Sequence, residues 1–502
     1  MAIAQPVRPR GFDPRWLPLA VTTIGSFMSI LDGSIINIAL PSMLTDFHSD
    51  LGSGQLVVTA YLMALAVVIP LTGFLAERVG MKRLYIITLF LFTLGSALCG
   101  LAWDMPSLIG FRILQGLGGG ILQPLGMALV FTLITPLERP YFMGLLGIPV
   151  LLGPILGPTV GGYITEYSHW RAIFLINIPV GAIGILMAIA LLKETPIRHE
   201  ARLDMRGFAL SALAFPALVL GLSLASDEGW TAPLPAALLA LSVLALLAFI
   251  RVELNQPDPM LQLRLFRNPM FRLSTGIQLI GFFSLFGLNF VLSLFLQLGH
   301  GWGAAETGLA LLPMGVVSFI AMNVAGRLYN RVGPRPLSAA GLLVLCITSL
   351  LWSFVDDQTG IVPVLILAGG RGLALGLFAQ TVQTVAYNTV QDGQMPRASA
   401  LMNVTQRING GVSAAVLTTV LALSLSWQGA APHTSITSAG LPLGEMIRAF
   451  HVTFYFMAAL SLLGFVMTLG LHDRLLETHQ RRGAAGAGAT SIPAREPVEV
   501  EG

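Results

Sequence analysis

The sequence predicts an all-α polytopic membrane protein: fourteen transmembrane helices arranged as two six-helix bundles with a central two-helix insertion. Three observations carry that expectation. They are an apolar composition, fourteen apolar stretches long enough to cross a bilayer, and a motif that recurs half a chain apart. The 502 residues are 55% hydrophobic and only 11% charged, with a mean hydropathy of +0.78, whereas a soluble chain carries about 25% charged residues. A pI near 9.0 would suit a nucleic-acid binder. The basic residues, however, fall in short clusters between apolar runs and form no continuous patch, so loop charge explains them and no nucleic-acid partner is expected. Cys99 and Cys346 are the only cysteines and both lie in apolar runs, which leaves neither a disulfide framework nor a CxxC motif.

Crossing ~30 Å of hydrocarbon takes about 20 helical residues. The stretches that qualify are 16–40, 53–75, 84–102, 106–134, 141–165, 171–192, 207–225, 233–250, 272–298, 304–326, 337–354, 361–389, 399–423 and 450–471. The first follows MAIAQPVRPRGFDPRW directly, without a short apolar region and small-residue cleavage site, and is read as a retained span.

Loop charge supports the count, because Lys and Arg accumulate on the cytoplasmic side. Alternate loops and tails hold Arg8, Arg10 and Arg15; Arg78, Lys82 and Arg83; Arg139; Lys193, Arg198, Arg202 and Arg206; Arg251, Arg264, Arg267 and Arg272; Arg327, Arg331 and Arg335; Arg397; and Arg474, Arg481, Arg482 and Arg495. The intervening loops carry acids such as Asp46, Asp104, Glu166, Asp227, Glu306 and Asp356, with only Arg171 and Arg448 among the bases. An even number of spans and two cytoplasmic termini follow. The RRGAAGAGAT tail reads as disordered.

The loop after the second span, GFLAERVGMKR from Gly73, recurs after the tenth as GRLYNRVGPR from Gly326, an offset of 253 residues. A weaker echo links RILQGLGGGILQP, from Arg112, with RGLALGLFAQTVQ, from Arg371. Such repeats mark transporters built from two helical bundles around a site near the membrane midplane. The expected organisation is a cytoplasmic tail at 1–15, a six-helix bundle at 16–192, a central region with two extra spans at 193–270, a second bundle at 271–471 and a cytoplasmic tail at 472–502. Spans 7 and 8 have no counterpart in the repeat, so they are expected to pack outside the bundles.

Inside the spans the sequence places one carboxylate, Asp32, and three arginines, Arg112, Arg371 and Arg407. An ionised group in hydrocarbon is costly, so an acid kept there is by default functional. Counted along their spans, Asp32 and Arg112 fall within roughly 3–5 Å of the same depth, so they are expected to form a coupled pair. Arg112 and Gln115 share a helix face. Arg112 cannot carry a proton itself. It either biases the acid's protonation or is a buried arginine satisfied by backbone carbonyls. Arg371 and Arg407 either face a cavity or anchor helices. Asn289, Gln380 and Gln383 either line that cavity or hydrogen-bond between helices.

LDGSIINIALP, GFLAERVGMKR, RILQGLGGG, GPILGPTVGG and WRAIFLINIPVG occur in that order along the chain. With them the chain resembles the major facilitator superfamily, specifically its fourteen-span drug:proton antiporters. The resemblance implies a conformational latch at Gly73, Glu77, Arg78 and Gly80, repeated at Arg331 and Gly333. This chain has Glu77 where the family usually has Asp, and Met81 where a base is common. The resemblance also implies an antiporter helix at Gly153, Pro154, Gly157, Pro158, Gly161 and Gly162; its glycines at four-residue spacing form a smooth packing stripe. Asp32 and Arg112 become the proton-coupling pair, and Gln115, Asn289, Arg371, Gln380, Gln383 and Arg407 the candidate substrate cavity.

The expected function is therefore proton-coupled export of amphiphilic or cationic organic compounds from a bacterial plasma membrane, with membrane lipid and protons as partners. A periplasmic adaptor is a further candidate partner. A lipid or lipid-linked metabolite transporter of the same fold, and a non-transporting scaffold or receptor, are the alternatives. No enzyme is expected. GLGGG follows a membrane helix and not a strand, no GxxxxGK[ST] is present, and no His spacing suits a metal, so no cofactor is called for beyond the proton gradient.

Overall fold

A computed structural model describes residues 16–473 apart from 137, 199, 201–202, 230–231, 392 and 429–441. The tail assigned to 1–15 lies outside the described residues, as do residues 474–502 of the tail assigned to 472–502 and some helical side chains, those of Pro154, Pro158 and Asn289 among them.

The first half consists of α1 (Trp16–Asp46), α2 (Leu51–Val68) continuing through a 3-10 turn into α3 (Thr72–Val79), α4 (Met81–Gly100), α5 (Met105–Leu133), α6 (Arg139–Tyr167), and α7 (Ala172–Leu175) leading into α8 (Asn177–Leu191). The insertion is α9 (Met205–Glu228) and α10 (Pro233–Asn255). The second half is α11 (Pro269–Leu294), extended by a π-helical turn, then α12 (Ala304–Val332), α13 (Pro334–Trp352), α14 (Ile361–Asn388), α15 (Met395–Trp427) and α16 (Leu443–Thr468). No strand occurs among the described residues. Twelve of these rods are long and apolar enough to cross a membrane. The remaining two expected spans fall on α6 and α11, helices of 29 and 26 residues.

Helix starts follow local chemistry. Asp104 accepts the Ser107 backbone N–H at 2.8 Å while the Ser107 hydroxyl reaches back to the Asp104 N–H, a capping box at the head of α5. Asn268 caps α11 ahead of Pro269.

The repeat is visible in the packing. In the first half α1 packs on α5, α6 and α8, α5 on α2 and α4, and α4 on α8; in the second, α11 packs on α14, α15 and α16, α14 on α12 and α13, and α13 on α16. Each pair in one half has its mate in the other. The recurring glycines also match: Gly80 adopts φ 91°, ψ 144° between α3 and α4, and Gly333 adopts φ 87°, ψ 165° between α12 and α13. Only glycine occupies that region readily, so both turns require it.

The insertion sits at one side. α9 contacts α2 and α15, one helix from each half, and α10 packs on α9. Leu244 and Leu247 of α10 are 67% and 61% exposed, as suits a face turned to lipid.

The two halves meet unequally. At the end carrying the basic loops, Phe131 and Met143 share one buried apolar cluster with Tyr387, Val390 and Leu401. At the opposite end the clusters stay apart: one holds Ile35, Met43, Trp170 and Phe174, all of the first half, and the other Phe295, Trp352, Leu425 and Phe454, all of the second. The structure is thus closed on its basic face.

Candidate functional site

The site begins with how closely helices can approach α5. The GLGGG run supplies the space: Gly116 lies against Tyr61 and Ala64 of α2, Gly118 against the backbone at Phe92 of α4, and a Cβ on Gly95 of α4 would meet the Gln115 backbone at 2.6 Å. With α2 and α4 drawn in, Arg112 and Gln115 point inward and become fully buried.

There Arg112 Nη1 donates to Asp32 Oδ2 at 2.6 Å and to Gln115 Oε1 at 2.8 Å, while Gln115 Nε2 donates to Asp32 Oδ1 at 2.8 Å. Asn177 Nδ2 donates to the same Oδ1 at 3.4 Å and to Ser96 Oγ at 3.0 Å. The guanidinium lies over the Tyr61 ring, 4.1 Å from its centroid. Asp32 is 1% exposed, yet Arg112 Nη2 has no acceptor among the described residues. The structure therefore brings Asp32, Arg112 and Gln115 together as one network. Gln115 stands in the acid's own shell and not on an open wall. Asn177 lies in WRAIFLINIPVG, but nothing in the sequence sets its amide apart; only the packing of α8 brings it to Asp32.

The other candidate cavity residues scatter. Arg371, the mate of Arg112, is fully buried in the second half; its Nη2 donates to the backbone carbonyls of Ser284 and Leu285 at 3.5 and 3.3 Å. Gln380 lies at the seam with α6, beside Gly147, and Gln383 is buried. Arg407 alone presents an open side chain. Asn289 lies outside the described side chains.

The small-residue stripe of α6 faces α1. Added Cβ atoms on Gly153, Gly157 and Gly161 would run into Ile30, Ser34 and Ile35 respectively, and Ser34 Oγ donates to the Gly153 carbonyl at 3.0 Å. Gly162 has room toward Ile38, 3.9 Å away.

On the basic face, Glu77 reaches across the halves to Arg397 on the first turn of α15, at 2.7 Å from Nε and 2.8 Å from Nη2. A Cβ on Gly73 would collide with Arg397, so that glycine makes the contact possible. Arg397 Nη1 also donates to Asp258 Oδ1 at 2.8 Å, and Arg198 lies 3.5 Å from Glu77 and 3.4 Å from Asp258. Arg78 and Arg331 are exposed. In the sequence Arg397 and Arg198 are loop charges and Asp258 carries no motif, since their partners are remote along the chain. A second bridge joins the halves where Arg139 Nη1 donates to Asn388 Oδ1 at 3.1 Å, and Asn388 Nδ2 donates to Asp473 Oδ2 at 2.8 Å.

A family model described as Major Facilitator Superfamily matches residues 22–414. The chain is 33% identical over 402 residues to the uncharacterized MFS-type transporter YhcA of Bacillus subtilis, covering 80% of this chain and 76% of that protein. It is 30% identical over 391 residues to the putative multidrug resistance protein MdtD of Serratia proteamaculans, covering 78% of this chain and 82% of that one. Among solved structures, the human organic anion transporter MFSD10 (TETRAN) superposes with a TM-score of 0.66 at 17% identity, over 91% of this chain and all of that one.

Proposed function

The chain belongs to the major facilitator superfamily, and from that premise we propose that it is a proton-coupled antiporter, exporting amphiphilic organic compounds of the class the sequence suggests by alternating access. The basic face is the cytoplasmic one in this reading, with both termini in the cytoplasm of a bacterium and the protein in its plasma membrane. The observation that carries the proposal is the buried Asp32–Arg112 pair, with Gln115 and Asn177 completing the acid's shell.

The coupling follows from electrostatics. Ionised, Asp32 uses both oxygens on Arg112 and Gln115. Protonated, it leaves Arg112 buried without a counter-charge, and losing one partner of a buried pair costs about 3–5 kcal/mol. A proton therefore cannot bind at Asp32 while α1 and α5 keep this arrangement at low cost. The helices move, or another charge takes the acid's place. Around this pair Glu77 and Arg397, with Gly73, Arg78 and Gly80 shaping the loop and Arg331 and Gly333 in its mate, form the latch that holds the cytoplasmic face shut. The α1–α6 seam at Gly153, Gly157 and Gly161, with Pro154, Pro158 and Gly162, is the antiporter helix of this reading.

That relatives such as MdtD are named as putative multidrug resistance proteins supports export. Proteoliposomes loaded with a lipophilic dye test the proposal: an imposed pH gradient should drive the dye uphill, and a protonophore should stop it. Movement that ignores the gradient would count against proton coupling.

A further inference from the structure

The spans read from the sequence hold three arginines, Arg112, Arg371 and Arg407, against one carboxylate, Asp32. Asp32 answers Arg112. Arg371 is buried with Nε and Nη1 facing no acceptor among the described residues. Arg407 makes no hydrogen bond or ion pair among them either.

Arg407 differs from the other two in where its charge points. It lies on α15, twelve residues from the helix start at Met395, or ~18 Å in from the basic face. It is deep in the molecule and close enough to Tyr61 of α2 to interact electrostatically across the halves, yet its side chain is open. A side chain both deep and open lines an internal cavity. There is also room beside each charged residue: Gly410, one turn further along α15 from Arg407, and Gly33, next to Asp32 on α1, would each carry a Cβ that meets nothing within 4 Å. Asp32 itself is sealed, at 1% exposure.

A cargo entering this cavity therefore meets the guanidinium of Arg407 before it meets any carboxylate. We propose that the cavity selects cargo bearing an anionic group, a carboxylate, sulfonate or phosphate on an apolar body, with that group seated on Arg407. The inference rests on the reading of the chain as an exporter of amphiphiles, and among them it selects the anionic ones in place of the cationic compounds expected from the sequence. An uncompensated charge at membrane depth is costly, and an anion that docks on it recovers part of that cost. Arg suits the role because its planar fork meets a carboxylate or phosphate with two parallel hydrogen bonds.

The test is equilibrium binding to the purified full chain in detergent, near neutral pH and without any gradient, using two dyes of one xanthene skeleton: the anion fluorescein and the cation rhodamine 6G. Fluorescein should bind about tenfold more tightly than rhodamine 6G. Arg407→Gln should weaken fluorescein about tenfold while leaving rhodamine 6G within about twofold, and Arg407→Lys should recover most of the loss. Displacement of fluorescein by phosphatidylglycerol, but not by phosphatidylcholine, would place the anion on a lipid; no displacement by either would place it on a free solute. Both results keep the anionic site. Rhodamine 6G binding as tightly as fluorescein to the unmodified chain, a comparison that needs no variant, would overturn the proposal. So would fluorescein binding indifferent to Arg407→Gln in a variant that melts like the parent. A chain that binds the anion but moves nothing on a pH gradient would leave this inference standing and remove the proton-coupled reading instead.

Discussion

Arg397 of the second half holds both carboxylate oxygens of Glu77 in the first, at 2.7 and 2.8 Å, and uses its remaining nitrogen on Asp258. The pair is largely buried, with the Arg397 side chain 8% and that of Glu77 16% exposed. It bridges the two halves on the basic face, so any motion that separates them there would have to break it. Asp258 and Arg198 flank the inserted hairpin on its two sides, so the insertion is tied to the same network although it lies outside both bundles.

Glu77→Gln should accordingly populate a state open on the basic face. The lost pair is worth between the ~1 kcal/mol of a surface ion pair and the ~3–5 kcal/mol of a buried one. Spin labels at Arg83 and Arg335, both exposed and one in each half, should report a longer distance in the variant than in the parent. An unchanged distance distribution would show that the ion pair does not hold the face closed.

The two turn glycines separate backbone strain from crowding. Nothing lies within 4 Å of a Cβ on Gly333, whereas one on Gly80 would meet the Glu194 carboxylate, its Cδ at 2.8 Å. Gly333→Ala should cost about 1–3 kcal/mol, the strain of a non-glycine residue at that φ, and Gly80→Ala should cost more. Thermal melting of the two variants reads the order directly, and equal losses would contradict it.

Much of this was legible in the sequence because it is local or periodic. The repeated Gly-x-x-x-x-x-x-Gly loops required glycine at both turns, the four-residue glycine spacing gave a flat α6 face, and Asp32 and Arg112 are conspicuous as charges in apolar runs. What could not be read was which remote groups complete each site. Asn177 joins Asp32 only because α8 packs against α1 and α4. Arg397 looks like any loop base until α15 is seen beside α3. Gln115 and Gln383 have the composition of cavity residues, but helix rotation buries them, and only the fold shows that Arg407 faces open space. All fourteen apolar stretches fall on helices of the structure; among the described residues twelve of those helices are long and apolar enough to cross a membrane.

On the face opposite the latch, Asp46 accepts from Arg171 at 2.7 Å and from the Trp170 indole at 3.1 Å. The Arg171 hydrogen bond holds the Asp46 carboxyl below the usual aspartate range, with Trp170 adding to it. A carboxyl lowered in the folded state contributes stability that is present above its unfolded value and is lost as pH falls through the folded one. The Asp46 side chain is 38% exposed, so the effect should be under ~1 kcal/mol. The melting temperature of the parent should fall on acidification below about pH 4 more steeply than that of Asp46→Asn. Parallel curves would remove the assignment.

Breaking the central pair should be expensive on one side and cheap on both. Asp32→Asn leaves Arg112 buried without its counter-charge and should cost about 3–5 kcal/mol, while Asp32→Asn with Arg112→Gln should recover much of that loss. A melting series over the two single variants and the double tests it. Additive losses would mean that the two side chains stabilise the fold independently.

Asp32 is the group proposed to carry the proton. Uphill dye transport into proteoliposomes on an imposed pH gradient, compared between the parent and Asp32→Asn at matched amounts of folded protein, tests this most directly. The account predicts that the variant still exchanges dye down its concentration gradient but no longer accumulates it when the pH gradient is applied. Accumulation by Asp32→Asn at the parent's rate would place the proton elsewhere and contradict the account.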